Sequence, residues 1–401
     1  MNTFAAVMTG KGTGAISTIQ VFGDSAEPLV KKIFKPTGSK PAILKPGKIL
    51  LGQITDGSET IDQVVVGCET VHSFAINCHG NPLIVADIMK ALARHGAILL
   101  TAEELLAKIL SAQKHINTIE LEAKSAQPKA KTIEGTKIIA NQIDAGLSGK
   151  AKKWLQSYGL LTEKINAMSL REIRADAEQI LEAGQTAKLI ITGCTMVLSG
   201  PPNTGKSTLL NYLAGRQKAI VTDIKGTTRD WVSARCKIAP LSVELIDTAG
   251  LDEKLSATSK ETIEKLSQQK TAEILEGADL VLLVLDSSQT ADQLDEKLLE
   301  KIADKKILAV LNKSDLPARL DTGKLPQILG NTVQISAKLG TGIENLLKEI
   351  RQICGVAGFD LNAPVCFTDR QENLVKQLQK ANSKQQAASI ITELLNGRLN
   401  V

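Results

Sequence analysis

The stretch that most constrains the fold of this chain is Gly200-Pro201-Pro202-Asn203-Thr204-Gly205-Lys206-Ser207. It follows the apolar run Met196-Val197-Leu198 and leads into the helix-compatible Thr208-Leu209-Leu210-Asn211-Tyr212-Leu213-Ala214-Gly215. A strand, a Gly-bounded loop and a helix start in that order gather unpaired amides and the positive end of a helix dipole around one concavity, a cradle for phosphate. Gly200 and Gly205 let the backbone pass close to phosphate oxygens, and Asn203, Thr204 and Thr208 complete the loop and the first helical turn. Lys206 can reach the outer phosphates, and the Ser207 hydroxyl can ligate Mg²⁺. An isolated match would equally suit a Gly/Pro turn with a solvated lysine, so the rest of the chain must decide.

At 401 residues the chain exceeds the ~250–300 at which a single core stops growing, so two or three domains are expected. Aromatic residues make up only 2%, so cores rest on Leu, Ile, Val and Ala, and extensive base-stacking platforms are excluded. A formal charge of +5 is compatible with touching RNA but does not argue for it. Cys68, Cys78, Cys194, Cys236, Cys354 and Cys366 are dispersed without a Cys-x-x-Cys pair and read as reduced, packed thiols. The N-terminus lacks the pattern of a signal peptide, and no run approaches the ~18 apolar residues of a membrane span. A cytoplasmic protein with no membrane association is the expectation.

Residues 1–100 read as a small α/β domain, with Ala15 to Phe22 and Gln63 to Cys68 as strands and Asn81 to Leu92 as a helix opening at Pro82. His79-Gly80 before that helix suits a binding turn, although a lone His is more often structural. Residues 101–185 read as helical, beginning with the capping-box spacing of Thr101 and Glu104. Residues 186–355 alternate apolar strands with helices, which predicts a buried, mostly parallel sheet covered on both faces. Residues 356–401 return to helix from Asp369, and this tail is expected to pack back onto the helices of 101–185.

Ligands of such sheets sit at the carboxyl ends of the strands, where the remaining motifs fall. Thr227 and Thr228, in Gly226-Thr227-Thr228-Arg229-Asp230, lie in a polar segment whose hydroxyls can complete Mg²⁺ coordination while the terminal phosphate is present. At the end of Val243-Glu244-Leu245-Ile246, Asp247 can hold Mg²⁺ and the Gly250 amide can approach the terminal phosphate. After Ala309-Val310-Leu311 come Asn312, Lys313, Ser314 and Asp315. A carboxylate accepts from the N1 and exocyclic amino donors of guanine, and adenine lacks that pair, so Asp315 specifies GTP and GDP. Ser336-Ala337-Lys338 supplies a backbone amide for the guanine carbonyl oxygen. An ATPase would carry no Asn-Lys-x-Asp element.

With these residues in hand, the chain resembles the tRNA-modification GTPase family called TrmE or MnmE. Pro202 to Asn211, Ala219 to Asp230 and Asp247 to Leu251 carry the resemblance, although ribosome-assembly GTPases such as Era and EngA share most of it. The domain order discriminates better, because in that family a GTPase domain is inserted into a helical domain behind an N-terminal folate-binding domain. Thr9 to Gly14 with Ile19 to Gly23, and Cys78-His79-Gly80-Asn81-Pro82, also resemble family elements. The resemblance implies an MnmE-like homodimer that pairs its GTPase domains across their switch regions, with Asn203 helping to ligate K⁺ between them. It implies Thr228 and Ser207 on Mg²⁺, and a water-positioning Glu264 with Glu261 as its rival. It further implies a flavoprotein partner and tRNA wobble-uridine modification.

Three departures stand against that carry-over. The chain ends Asn396-Gly397-Arg398-Leu399-Asn400-Val401 where the family ends in Cys-Ile-Gly-Lys. Gln20 stands in place of an Arg of the N-terminal strand, and His72-Ser73-Phe74-Ala75 replaces a Phe-Thr-Gly-Glu stretch. The last two count against a folate derivative in the N-terminal domain. The alternative is a divergent regulatory or ribosome-associated GTPase switch with no part in tRNA modification.

Overall fold

The computed structural model describes residues 2–10, 12–38, 44–112, 117–157, 169–216, 232–247, 273–294 and 296–397. The chain divides into two compact units, Met1–Leu121 and Glu122–Gly397.

The first unit contains β1 (Thr3–Val7), β2 (Ile16–Phe22), α1 (Ala26–Ile33), β3 (Phe34–Pro36), β4 (Ile49–Asp56), β5 (Glu59–Thr70), β6 (Ser73–His79), α2 (Pro82–Arg94), β7 (Ala97–Leu99) and α3 (Ala102–Ser111). The strands form one sheet in the order β3-β4-β5-β6-β2-β1-β7, antiparallel throughout except where β1 meets β7. One face is apolar: Val64, Val66 and Cys68 of β5 are buried with Ile19, Val21, Phe74 and Ile76, and α1 and α2 cover them through Val30, Ile33, Ile88 and Leu92. Fully burying each large side chain of this kind contributes about 1.5–3 kcal/mol. Asn81 caps α2 by accepting from the Leu83 amide, with Pro82 at its first turn. The Thr101–Glu104 capping box opens α3 as its spacing predicts.

Gly14, with Ala15 after it, meets the Cys78 to Pro82 element in this unit. Gly80 and the Gly14–Ala15 backbone exchange two hydrogen bonds of 3.2 Å, and a Cβ on Gly80 would stand 2.2 Å from the Gly14 carbonyl oxygen. Only glycine fits that approach. His79 Nδ1 and its amide both bond Asp62, at 2.7 and 2.9 Å.

In the second unit the helices are α4 (Thr118–Ala126, from Glu122 onward), α5 (Ile133–Asp144), α6 (Leu147–Ser157) and α7 (Leu170–Thr192). There follow β8 (Cys194–Ser199), α8 (Lys206–Arg216), β9 (Val232–Ile238), β10 (Leu241–Asp247), β11 (Leu280–Asp286), α9 (Glu296–Ile302), β12 (Ile307–Asn312), β13 (Thr332–Gln334) and α10 (Ile343–Ile353). The tail supplies α11 (Asp369–Gln379) and α12 (Lys384–Asn396), two helices where the sequence reads as one.

The sheet order is β13-β12-β11-β8-β10-β9, parallel in every pair but β9 with β10. Every residue of β11, Leu280–Asp286, is buried, as the continuous apolar run requires of a strand covered on both sides. Leu280, Leu282 and Val284 face a core shared with Leu209 and Leu213 of α8 and Leu346 and Ile350 of α10. Val281, Leu283 and Leu285 face the opposite core with Ile302 of α9.

The tail packs on the earlier helices, α11 against α7 and α12 against α6. Two polar clamps hold it. The Glu122 carboxylate accepts from Thr368, Arg370 (Nε and Nη2) and Gln371 at 2.7–2.9 Å. Buried Gln142 of α5 accepts from the Leu147 and Val365 amides and donates to the Ile138 and Ala363 carbonyls. Each clamp satisfies a buried polar side chain whose isolation would cost about 1–3 kcal/mol.

Candidate nucleotide site

The loop from Gly200 to Gly205 leaves the carboxyl end of β8 and ends at the first residue of α8, the placement that aims helix amides into a concavity. Its glycines are there for space. Gly200 has φ +134°, and a Cβ on it would stand 2.3 Å from the Val284 carbonyl oxygen; on Gly205, φ +94°, it would stand 2.3 Å from Asn312 Nδ2. Asn203, at φ 61°, holds a left-handed conformation that costs a non-glycine residue about 1–2 kcal/mol.

Lys206 is buried, and its Nζ donates to the Gly200 and Pro201 carbonyls at 2.9 and 2.7 Å. Thr204 Oγ1 donates to Pro201 O at 3.0 Å. The ammonium therefore sits in the mouth of the loop, where outer phosphate oxygens offer stronger, charged acceptors than carbonyls do. Thr208 is exposed in the first turn of α8.

Ser207 Oγ donates to Asp247 Oδ2 at 2.6 Å, joining α8 to the end of β10. These are two hard oxygen donors, and among the described residues no cluster of three or more His, Cys, Asp or Glu is suited to a metal. Such a pair fits Mg²⁺, which keeps most of its shell as water and phosphate oxygens.

The base-reading residues end β12. Asn312 Nδ2 donates to Thr204 O at 2.8 Å, and its Oδ1 accepts the Ala337 amide at 2.9 Å. One amide side chain thus ties the phosphate loop to the Ser336–Ala337 turn. Lys313, at φ 63°, extends its ammonium to Asp286 Oδ2 at 2.7 Å. Asp315 is exposed. The Ser336 hydroxyl and Asp315's own amide bond its carboxylate and hold it below the ordinary carboxylate range, so it is an anion whenever guanine could meet it.

Asp286 escaped the sequence reading. It ends β11 with its side chain 3% exposed. Burial pulls its pKa up, but the Lys313 ammonium and the hydroxyl and amide of Ser288 outweigh that and leave it below the ordinary range. The signal was available, because a lone Asp closing an all-apolar strand at the ligand edge of a parallel sheet has to be paired.

Of the residues singled out from sequence, Gly200, Asn203, Thr204, Gly205, Lys206, Ser207, Asp247, Asn312, Lys313, Asp315, Ser336 and Ala337 fall on the carboxyl-end loops of this one sheet. Thr227, Thr228, Gly250, Glu261 and Glu264 lie outside the described residues. No helix among the described residues is long and apolar enough to cross a membrane.

A phosphate loop, a Ser–Asp pair and an Asn-Lys-x-Asp turn on a mostly parallel sheet define a P-loop GTPase, a hydrolase of GTP. Comparison with known proteins agrees. Residues 195–313 match the family described as 50S ribosome-binding GTPase, and residues 3–104 match GTP-binding protein TrmE N-terminus. A protein of Endomicrobium trichonymphae described as tRNA modification GTPase MnmE is 34% identical over 89% of this chain and 82% of its own length. Another so described, from Lactiplantibacillus plantarum, is 29% identical over 88% of this chain and 81% of its own. Among solved structures, the G domain of the T. maritima FeoB iron transporter is 29% identical over 40% of this chain and 98% of its own, with a TM-score of 0.31. The chain belongs to the MnmE family, as a divergent member.

Proposed function

We propose that this protein hydrolyses GTP to GDP and phosphate to drive a conformational cycle that supports modification of the wobble uridine of tRNA. The observation that carries the nucleotide reading is the Asn312 side chain, bonded at once to Thr204 O and the Ala337 amide. It couples the groups that would read guanine to the loop that would hold phosphate. The relatives' shared description as tRNA modification GTPases supports the biological half.

In this reading Lys206 and the amides around Gly205 and Thr208 bind the outer phosphates, Asp315 accepts from guanine, and Ala337 and Lys313 flank the base. Ser207 and Asp247 would hold Mg²⁺, with Thr228 joining them. Held there, the ion would supply positive charge beside the phosphate oxygens. Gly250 approaches the terminal phosphate, and Glu264 or Glu261 orients the attacking water. Asn203, already in a left-handed turn, would face K⁺ where two copies pair their GTPase domains. The working division is an N-terminal domain 1–100, a helical domain from 101–185 and 356–401, and a GTPase domain 186–355, in a cytoplasmic homodimer served by a flavoprotein.

Folate fits the N-terminal domain poorly. Gln20 is buried and its Nε2 donates to Glu69 and Ser73 at 2.9 and 2.8 Å, so the position where the family carries Arg is already satisfied from within. The match of residues 195–313 to the ribosome-binding GTPases favours one second reading, a ribosome-associated switch.

The test is mass analysis of wobble nucleosides in tRNA from a deletion strain with and without this chain, beside phosphate release by the purified protein. Loss and restoration of the modified uridine is the expected result. Unchanged nucleosides with intact, guanine-specific turnover would overturn the tRNA half and leave the switch.

A further inference from the structure

β11 and β12 end side by side, with Asp286 and Asn312 in register as the last residue of each. Asp286 and Ser287 grip the two residues that open the Asn312-Lys313-Ser314-Asp315 turn. Ser287 donates to the Asn312 carbonyl oxygen from its amide and from its hydroxyl, at 2.9 and 2.7 Å. Asp286 Oδ2 accepts from Lys313 Nζ at 2.7 Å. The grip is itself held in place. Asp286 Oδ1 accepts from the amide and hydroxyl of Ser288 at 2.9 and 2.7 Å. The Gln293 side chain accepts from the Asp286 amide at 2.9 Å and donates to its carbonyl at 3.0 Å.

The Asp286 side chain is 3% exposed and that of Lys313 31%, so the ion pair joins a buried anchor to a partly open stem. A free lysine is a flexible stem ending in a hydrated point charge. One whose ammonium is bonded to a fixed, buried carboxylate is tied at both ends, and its methylenes become ordered apolar surface. The Lys313 backbone is left-handed, at φ 63°, a conformation that persists in a residue with a side chain only where its surroundings over-determine it, and such residues cluster at ligand sites. The Ser288 amide and hydroxyl show that short donors can satisfy Asp286. A long stem on a strained backbone adds something else, an apolar wall two residues from Asp315.

We propose that Asp286 is a positioning residue of the nucleotide site: by holding the Lys313 ammonium it fixes the lysine stem as one wall against the plane of the guanine base. The inference rests on the reading in which Lys313 flanks the base. Asp286 touches no part of the nucleotide and acts through Lys313 alone. The wall meets the face of the base and reads none of its edge groups, so it favours binding of a purine ring and leaves the choice of guanine to Asp315. Phosphates, held at Lys206 and the loop, are outside its reach.

The experiment measures affinities of the full-length protein by calorimetry for GDP, inosine diphosphate and pyrophosphate. Asp286→Asn keeps the size and an acceptor for Ser288 but loses the charge that holds the ammonium. It should weaken GDP by about tenfold, weaken inosine diphosphate by the same factor, and leave pyrophosphate within twofold of the parent. Repeated in a Lys313→Met background, the same substitution should change GDP affinity by less than twofold, because the group it acts through is gone. If Asp286→Asn does not fold, Asp286→Glu keeps the charge but displaces the ammonium by one methylene, and it should weaken GDP by about threefold with pyrophosphate unchanged. GDP bound equally by the parent and the Asp286 variants would overturn the proposal and leave the GTPase reading standing. An equal loss for pyrophosphate would make Asp286 a structural brace of the whole site, and a full loss in the Lys313→Met background would mean that it does not act through Lys313; either overturns the proposal. A parent that binds pyrophosphate but not GDP would overturn the guanine reading, and this inference with it.

Discussion

Two polar clusters, one in each unit, answer the same demand for satisfied buried groups in opposite ways. In the second unit Lys206 and Asn312 spend their donors on backbone carbonyls of the phosphate loop. In the first unit Gln20, Ser73 and Glu69 bond only one another within that cluster, side chain to side chain, at 2.8–2.9 Å. A carbonyl gives up an ammonium readily when a charged phosphate oxygen arrives, because the charged acceptor is the stronger one. A carboxylate holding two neutral donors gains little from exchanging them. The first arrangement is poised to receive a ligand, and the second is closed.

The largest test of that contrast is Lys206→Ala. If the lysine's carbonyl bonds stand in for phosphate, steady-state phosphate release should fall by about 10²–10³-fold, the usual cost of removing one preorganised charge-stabilising donor, while circular dichroism stays native. Turnover within twofold of the parent would mean that the ammonium only braces the loop.

Asp315→Asn comes next. The exposed carboxylate is held below its ordinary range by Ser336 and its own amide, so replacing it leaves no buried hole but removes a charged acceptor. GTP affinity by calorimetry should drop by about 10–10²-fold and adenine nucleotides should gain nothing. An equal loss for an inosine nucleotide, which lacks the exocyclic amino group, would argue against the two-donor contact.

The Asp286–Lys313 pair sharpens the comparison, because here a closed contact lies within the open site. Its folded-state pKa is depressed, so as pH falls the unfolded chain takes up the proton first. The stabilisation is therefore full above about pH 4, the ordinary carboxylate value, and is lost as pH falls through the lower folded value. Asp286→Asn should cost about 1–3 kcal/mol at pH 7, and urea titrations should show the difference from the parent shrinking below about pH 4. A gap that stays constant with pH would make the loss one of packing.

Legibility followed the same divide. The parallel sheet announced itself because burial on both faces demands unbroken apolar runs such as Leu280 to Leu285, and its loop residues are fixed by backbone geometry that few residue types tolerate. The first unit's seven strands were harder. Only two stood out, because β4 begins with Ile49, Leu50 and Leu51 in succession, the first and third of them exposed, which hides the alternation of a half-buried strand. The pairing of Asp286 with Lys313 was hidden for another reason: it depends on the order of strands in the sheet, a contact between distant residues that no local pattern carries.

The smallest expected effect closes the comparison from the other side. Glu69→Gln in the first unit keeps the shape but turns a charged acceptor into a neutral one, facing Gln20 Nε2 and Ser73 Oγ. Glu69 is itself exposed, so water can take over part of its role, and the loss should be about 0.5–1.5 kcal/mol. A cluster that serves only its own unit should show this as a small shift in the urea midpoint, with GTP turnover within twofold of the parent. A folate derivative added at saturating concentration should shift neither the parent nor the variant. If instead it stabilised the parent and the variant lost that response, the Gln20–Glu69–Ser73 cluster would be a binding site in its resting form, and the two units would differ in ligand rather than in kind.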